Sequence, residues 1–298
     1  MANKEQILNN INETPPRVNE FRRFTRAFLG RKVVWAGLII IVVFLLVAAF
    51  GPLFAPYPPN KQNLSNTLAG PSREHLLGTD NFGRDTFTRI IYGSRVAFMV
   101  GVIAVGIAAG LGMIFGLIAG YFGGWQFTVI MRVMDALMAF PMILLALLIT
   151  SVLGGGLVNV MVALGISLMP GYARIMCGQV MSLKENDYVL AGRSIGSTNW
   201  RIMLRHIVPN SLPPIMVMVT MMMGTTILAE AGLSYLGIGI ELPTATWGGM
   251  INEGYLFLRR DPLLSFAPGI AIMLVVFGFN MLGDGLRDAL DPRLRGII

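Results

Sequence analysis

The chain has 298 residues, of which 54% are hydrophobic and 13% charged, and its mean hydropathy is +0.66. Soluble domains of this size carry about 25% charged residues, so a water-soluble globular enzyme is excluded and long uncharged runs must account for the deficit. The +7 net charge and pI near 9.9 do not signal a nucleic-acid partner, because the excess cations flank apolar runs as they do in membrane proteins.

Residues 1–32 read as a cytoplasmic N-terminal segment. Residues 1–18 are polar with Pro15 and Pro16 and suit a disordered tail. Phe21, Phe24, Phe28 and Leu29 then recur on one helical side, with Arg22, Arg23 and Arg26 on the other. Such an amphipathic helix lies flat on an anionic inner leaflet. A plain stop-transfer charge cluster is the alternative.

Residues 33–95 comprise a first span and an outer loop, and residues 96–298 a core transmembrane domain. Roughly 20 apolar residues cross a hydrocarbon core about 30 Å thick. Uncharged runs place six helices near 33–55, 96–122, 128–153, 157–176, 209–233 and 263–285. The basic leader before Val33 is too long for a signal peptide and no small-residue cleavage site follows, so the first span is retained. Cys177 is the single cysteine, which rules out an intrachain disulfide.

With the N-terminus inside, the cytoplasmic segments together with Arg132 and Arg174 at the inner ends of their spans hold 16 of the 23 Lys and Arg. Both termini are therefore expected in the cytoplasm, as the positive-inside rule requires. Along the second span, Gly106 and Gly110, then Gly112, Gly116 and Gly120, have the small-residue spacing that lets helix backbones approach closely. Pro141, Pro170, Pro213 and Pro214 predict kinks or offset axes.

The cytoplasmic stretch between the fourth and fifth spans is longer than a connector needs. Asp187 to Ile195 reads as a short helix with Tyr188, Leu190 or Ala191, and Ile195 near one side. Gly196 suits the left-handed residue that ends a helix, and Ser197 or Thr198 suits the next N-cap. Asn199 to Ile207 forms a second helix showing Trp200, Met203 and Leu204, with Arg201 and Arg205 alongside. Helix, glycine turn and helix make a rigid knob that a soluble motor could grip.

That stretch resembles the cytoplasmic coupling motif of ABC importer permeases: Glu-Ala-Ala, three residues, Gly, nine residues, Ile-x-Leu-Pro. Here it falls on Leu190-Ala191-Gly192, Gly196 and His206-Ile207-Val208-Pro209. Ala191, Gly196 and Pro209 match, whereas Leu190 stands where the family has glutamate. Three further stretches carry the same resemblance: His75-Leu-Leu-Gly-Thr-Asp-Asn-Phe-Gly-Arg-Asp85, Ala229 to Gly239, and Asn280 to Pro292. They are similar to the dipeptide/oligopeptide/nickel permeases, and to their C-type membrane subunit in particular.

The resemblance implies an all-α type I importer fold with six spans in a bacterial plasma (inner) membrane. It also implies a homologous second permease, two ATPase subunits that bind ATP and Mg, an extracytoplasmic binding protein and a peptide substrate. Nickel or glutathione is the alternative cargo. The chain itself lacks a phosphate-cradling G-x-x-x-x-G-K-[ST] motif, so it is not expected to be an enzyme, nor to hold a cofactor or metal. Asp187, Tyr188, Leu190, Ala191, Gly192, Arg193, Gly196, Ser197, Trp200 and Arg201 are the residues expected to meet the ATPases.

Other site residues rest on local chemistry. Glu230, at the outer end of the fifth span, is read as a pathway acid or as an interfacial carboxylate capped by neighbouring backbone. Met216 and Met223 offer that span a soft surface of the kind used in promiscuous binding, with filler against lipid or a subunit as the alternative. Arg259 and Arg260 are read as an outer docking patch for the binding protein or as a solvated turn. A different class, the ion-coupled secondary transporter, would show internal repeats and intramembrane charges. No repeat is visible, and only Arg132, Asp135, Glu230 and Asp284 sit at expected helix ends.

Overall fold

A computed structural model describes residues 20–290, with side chains from Phe24 onward. The expected disordered tail, and the side chains of Phe21, Arg22 and Arg23 in the amphipathic pattern, lie outside the described residues. The described chain is helical, with one isolated β-bridge between Thr79 and Asp85. Helix α1 covers Glu20–Leu29 and α2 Lys32–Phe54. After an outer loop come α3 (Thr86–Phe122), α4 (Gly124–Met138), α5 (Met142–Leu153) and α6 (Leu157–Leu183). The chain continues with α7 (Asp187–Ser194), α8 (Asn199–Ile202), a π-helical turn (Met203–Ile207), α9 (Val208–Tyr235), α10 (Trp247–Tyr255) and α11 (Leu263–Leu290).

Among the described residues, five helices are long and apolar enough to span a membrane, and a bent pair brings the number to six if it is counted as one span. The expected single helix over 128–153 is instead α4 and α5, bent by 93°. Pro141 explains the break. It is the N-cap of α5, it has no N–H to donate, and its ring pushes the preceding Phe140 out of helical geometry. Pro170, Pro213 and Pro214, equally expected to kink, stay inside unbroken helices.

The glycines of α3 divide into two sets. A Cβ on Gly112 would lie 2.5 Å from Tyr172 Cβ, and one on Gly116 would lie 2.4 Å from the Ala173 carbonyl oxygen. Gly120 likewise faces Cys177 and Val180 of α6. These three positions let the backbones of α3 and α6 touch, and Tyr172, Met176 and Val180 are buried beside them. Gly106 and Gly110 face open space. On the other side α11 packs against α9 through Gly224 and Gly283, and against α2 through Gly37 and Gly278.

The loop 55–85 and α10 lie at one end of the bundle, and α7 with the π turn at the other. The orientation expected from the Lys/Arg distribution makes the α7 end the cytoplasmic one, and on that expectation the two ends are named inner and outer. A cysteine introduced at Ser65 or Asn252, both exposed, should react with an impermeant thiol reagent from outside intact cells. One at Ser197 should react only after permeabilisation. Labelling of Ser197 from outside would overturn this orientation.

Candidate functional site

At the inner end, α7 is anchored by Val189 and Gly192, which are buried. Its C-terminus closes as a Schellman motif. The Gly196 N–H donates to the Arg193 carbonyl at 3.0 Å, and the Ser197 N–H donates to the Gly192 carbonyl at 3.1 Å. Gly196 has φ of +77°, the conformation that a Cβ disfavours. Thr198, not Ser197, is the next N-cap, its side chain accepting from the Arg201 N–H. Tyr121 braces the elbow from α3. Its hydroxyl donates to Asn199 Oδ1 at 2.9 Å, and the Arg193 guanidinium stacks 5.3 Å from its ring centre.

The expected second helix over Asn199 to Ile207 is not a separate element. Its four α-helical residues run through the π turn directly into α9. Pro209 supplies the reason. A proline ring clashes with the carbonyl four residues before it, and widening one turn relieves the clash without ending the helix. Met203, expected on the outer side, is buried with Ile202 and Ile207. What the elbow exposes is Ile195 at 84%, Trp200 at 62%, and Leu190 and Leu204 beside Arg201 and Arg205. Large apolar side chains clustered on a polar end of the bundle mark a contact surface. Tyr188, Ala191 and Arg193 are exposed on the same elbow, as is Asp187.

At the outer end, the stretch around Asp80 to Asp85 forms a turn that caps α3. Asp85 accepts from the Thr88 N–H at 2.7 Å and pairs with His75 Nδ1 at 2.9 Å. Buried Arg84 donates to Asp80 at 2.6 Å and to Glu253 of α10 at 2.7 Å. Buried Arg89 lies 3.7 Å from both acids and donates to the Pro59 carbonyl at 3.3 Å. Two cations and two anions are thus balanced where the outer loop, α3 and α10 meet, as buried charges must be. Sequence reasoning assigned this cluster no role and missed Arg89 and Glu253, whose burial leaves no local signal.

The other expected residues fall in different places. Glu230 is 2% exposed and accepts a hydrogen bond from the Ser234 hydroxyl at 2.7 Å. Met223 is buried against Gly101 of α3, and Met216 is exposed. Arg259 and Arg260 are exposed in the turn between α10 and α11. The structure brings Glu230 and Met223 inside the subunit and leaves Met216, Arg259 and Arg260 on its surface.

Comparison with known proteins agrees with this architecture. The family described as binding-protein-dependent transport system inner membrane component matches residues 112–296. The N-terminal transmembrane domain of oligopeptide transport permease C matches residues 19–71. The dipeptide transport system permease protein DppC of Alkalihalophilus pseudofirmus is 44% identical over 289 residues, covering 95% of each chain. The glutathione transport system permease protein GsiD of Pectobacterium atrosepticum is 40% identical, covering 92% of each. The oligopeptide transport system permease protein OppC of Bacillus subtilis is 42% identical, covering 90% of this chain and 88% of its own. Among solved structures, the inward-facing MetNI methionine ABC transporter aligns with a TM-score of 0.51 at 17% identity, over 69% of this chain and 97% of that one. That last likeness concerns the fold alone.

Proposed function

Because this chain belongs to the family of binding-protein-dependent transport system inner membrane components, we propose that it forms one half of the membrane channel of an ATP-driven importer for di- and oligopeptides. Family membership supports its reading as a multi-pass membrane permease and favours ATP drive over the ion-coupled alternative. The observation that carries the coupling role is the elbow of α7, Gly196 and α8. It exposes Leu190, Ile195, Trp200 and Leu204 and continues without interruption into spanning helix α9. A push on that surface reaches the membrane core through one rigid rod.

The partners follow from this role. A homologous permease completes the channel, and two ATPase subunits bind ATP and Mg and grip the two elbows from the cytoplasm. An extracytoplasmic binding protein delivers the peptide to the outer end, where exposed Arg259 and Arg260 offer cationic contacts. The peptide class is supported by relatives that are dipeptide and oligopeptide permeases. Glutathione is the second reading, supported by relatives at 40% identity.

The test is reconstitution. Proteoliposomes holding both permeases, the ATPases and the binding protein should accumulate a radiolabelled dipeptide only with ATP. The isolated chain should neither hydrolyse ATP nor move the dipeptide. ATP turnover by the chain alone, or uptake driven by an ion gradient without ATP, would sink this reading.

A further inference from the structure

The break between α4 and α5 sits at a depth where broken helices are costly. Helix α5 has 12 residues and at 1.5 Å per residue reaches only about 18 Å, short of a hydrocarbon core about 30 Å thick. Ala139, Phe140 and Pro141 at the elbow are exposed on the subunit. Non-helical backbone at membrane depth persists only inside protein or along a water-filled cavity, never against lipid.

A second observation falls on the same face. Arg174 Nη2 donates to Asp135 Oδ1 at 2.6 Å, joining α6 to α4. Both side chains are open to the exterior of the subunit, 55% and 49% exposed. Arg174 lies four residues beyond Pro170, the middle of α6, or about 6 Å along the axis. Centring the bilayer on the apolar stretch 157–176 instead puts it about 11 Å from the midplane, still within hydrocarbon depth. The guanidinium turns toward Asp135 instead of stretching to the headgroups. Exposed charges at such depth face a bundle interior or water.

The pair borders a cavity of about 500 Å3 that Phe127, Met131, Arg132 and Met181 also line. Its walls are apolar, and its charged groups are two arginines and one aspartate. That set complements a zwitterion with apolar side chains: Asp135 for an ammonium, Arg132 and Arg174 for a carboxylate.

We propose that the cavity between α4 and α6 is a station of the translocation path, where Asp135, Arg174 and Arg132 meet the charged ends of a passing peptide. This deepens the peptide-importer reading and rests on it. The ion pair bridges the two helices when the path is empty and opens to the substrate termini. The pathway lining accordingly shifts from Glu230 and Met223, which are enclosed, to the face around the broken helix.

The experiment has two arms, both on the full complex in proteoliposomes. First, Asp135→Cys and Arg174→Cys, each in a Cys177→Ala background, are treated with a charged methanethiosulfonate and compared with Val43→Cys on exposed α2. Water-facing thiolates react far faster than buried ones, so both should label at least about tenfold faster than the control. Rates equal to that of Val43→Cys would place the face in lipid or in a sealed interface and overturn the proposal. Second, uptake of alanylalanine is measured for Asp135→Asn, Arg174→Gln and the charge swap Asp135→Arg with Arg174→Asp. Half-exposed ion pairs add little to folding, so assembly and binding-protein-stimulated ATP hydrolysis should persist while uptake falls about tenfold in all three. Restoration of uptake by the swap would show a mere strut between helices and overturn the substrate contact. Failure of the unmodified complex to take up alanylalanine would strike the peptide reading itself, while the labelling arm still reports on the cavity.

Discussion

Gly116→Leu is expected to prevent formation of a stable subunit, whereas Gly110→Leu, about 1.7 turns away on the same helix, is expected to leave it unchanged. A Cβ at Gly116 would stand 2.4 Å from the Ala173 carbonyl oxygen, 2.7 Å from Met176 Cβ and 3.0 Å from the Cys177 nitrogen. Two of those three atoms belong to the α6 backbone, so no rotamer change makes room and the helices must separate. Overpacking typically costs about 1–3 kcal/mol even where side chains can move. Here the loss should exceed that, because close backbone approach replaces the hydrophobic drive that lipid withholds. Net stabilities of about 5–15 kcal/mol leave limited room for such a loss. At Gly110 a Cβ meets nothing within 4 Å. Thermal unfolding of the detergent-purified subunit measures both variants. Equal melting temperatures would mean that α3 and α6 do not cross at Gly116.

The contrast between those two glycines shows where sequence reasoning stops. Spacing marked Gly106, Gly110, Gly112, Gly116 and Gly120 alike, yet only the last three meet α6, because which face of α3 turns inward depends on its partners. Spans were legible since runs such as Val33 to Phe50 have no other use in a chain this poor in charge. The break at Pro141 was not, because Pro170, Pro213 and Pro214 carry the same local signal without breaking their helices. In the elbow, Gly196 was legible from its position after a short amphipathic run. The fusion of the second helix with α9 was hidden, because Pro209 reads as a boundary when a π turn is available to absorb it. The outer ion network was beyond local reading. Arg84 and Glu253 are 169 positions apart, and each alone looks like a solvated charge. The burial of Glu230 had a faint signal in Ser234, which stands four residues on and donates to it.

The final expectation concerns the coupling elbow. Gly196→Val should uncouple transport, with the spans still inserted. No neighbour lies within 4 Å of a Cβ at this position, so crowding inside the subunit is not the mechanism. The backbone is the mechanism. A φ of +77° costs a non-glycine residue about 1–2 kcal/mol, and valine, branched at Cβ, suffers more than most. The Schellman closure of α7 would open first, because it has only the Gly196 and Ser197 bonds. A shift of that size lowers the population of the correct elbow about tenfold, while the packed spans keep their contacts. Asparagine tolerates left-handed geometry, so Gly196→Asn should retain most of the transport that Gly196→Val loses. Leu190→Glu should also be tolerated. Leu190 is exposed, so a carboxylate there stays hydrated, and it restores the glutamate of the motif that the elbow resembles. Dipeptide uptake and ATPase co-purification, measured for all three variants, decide the matter. Normal transport by Gly196→Val with the ATPases bound would show that the motor does not grip the subunit through this turn.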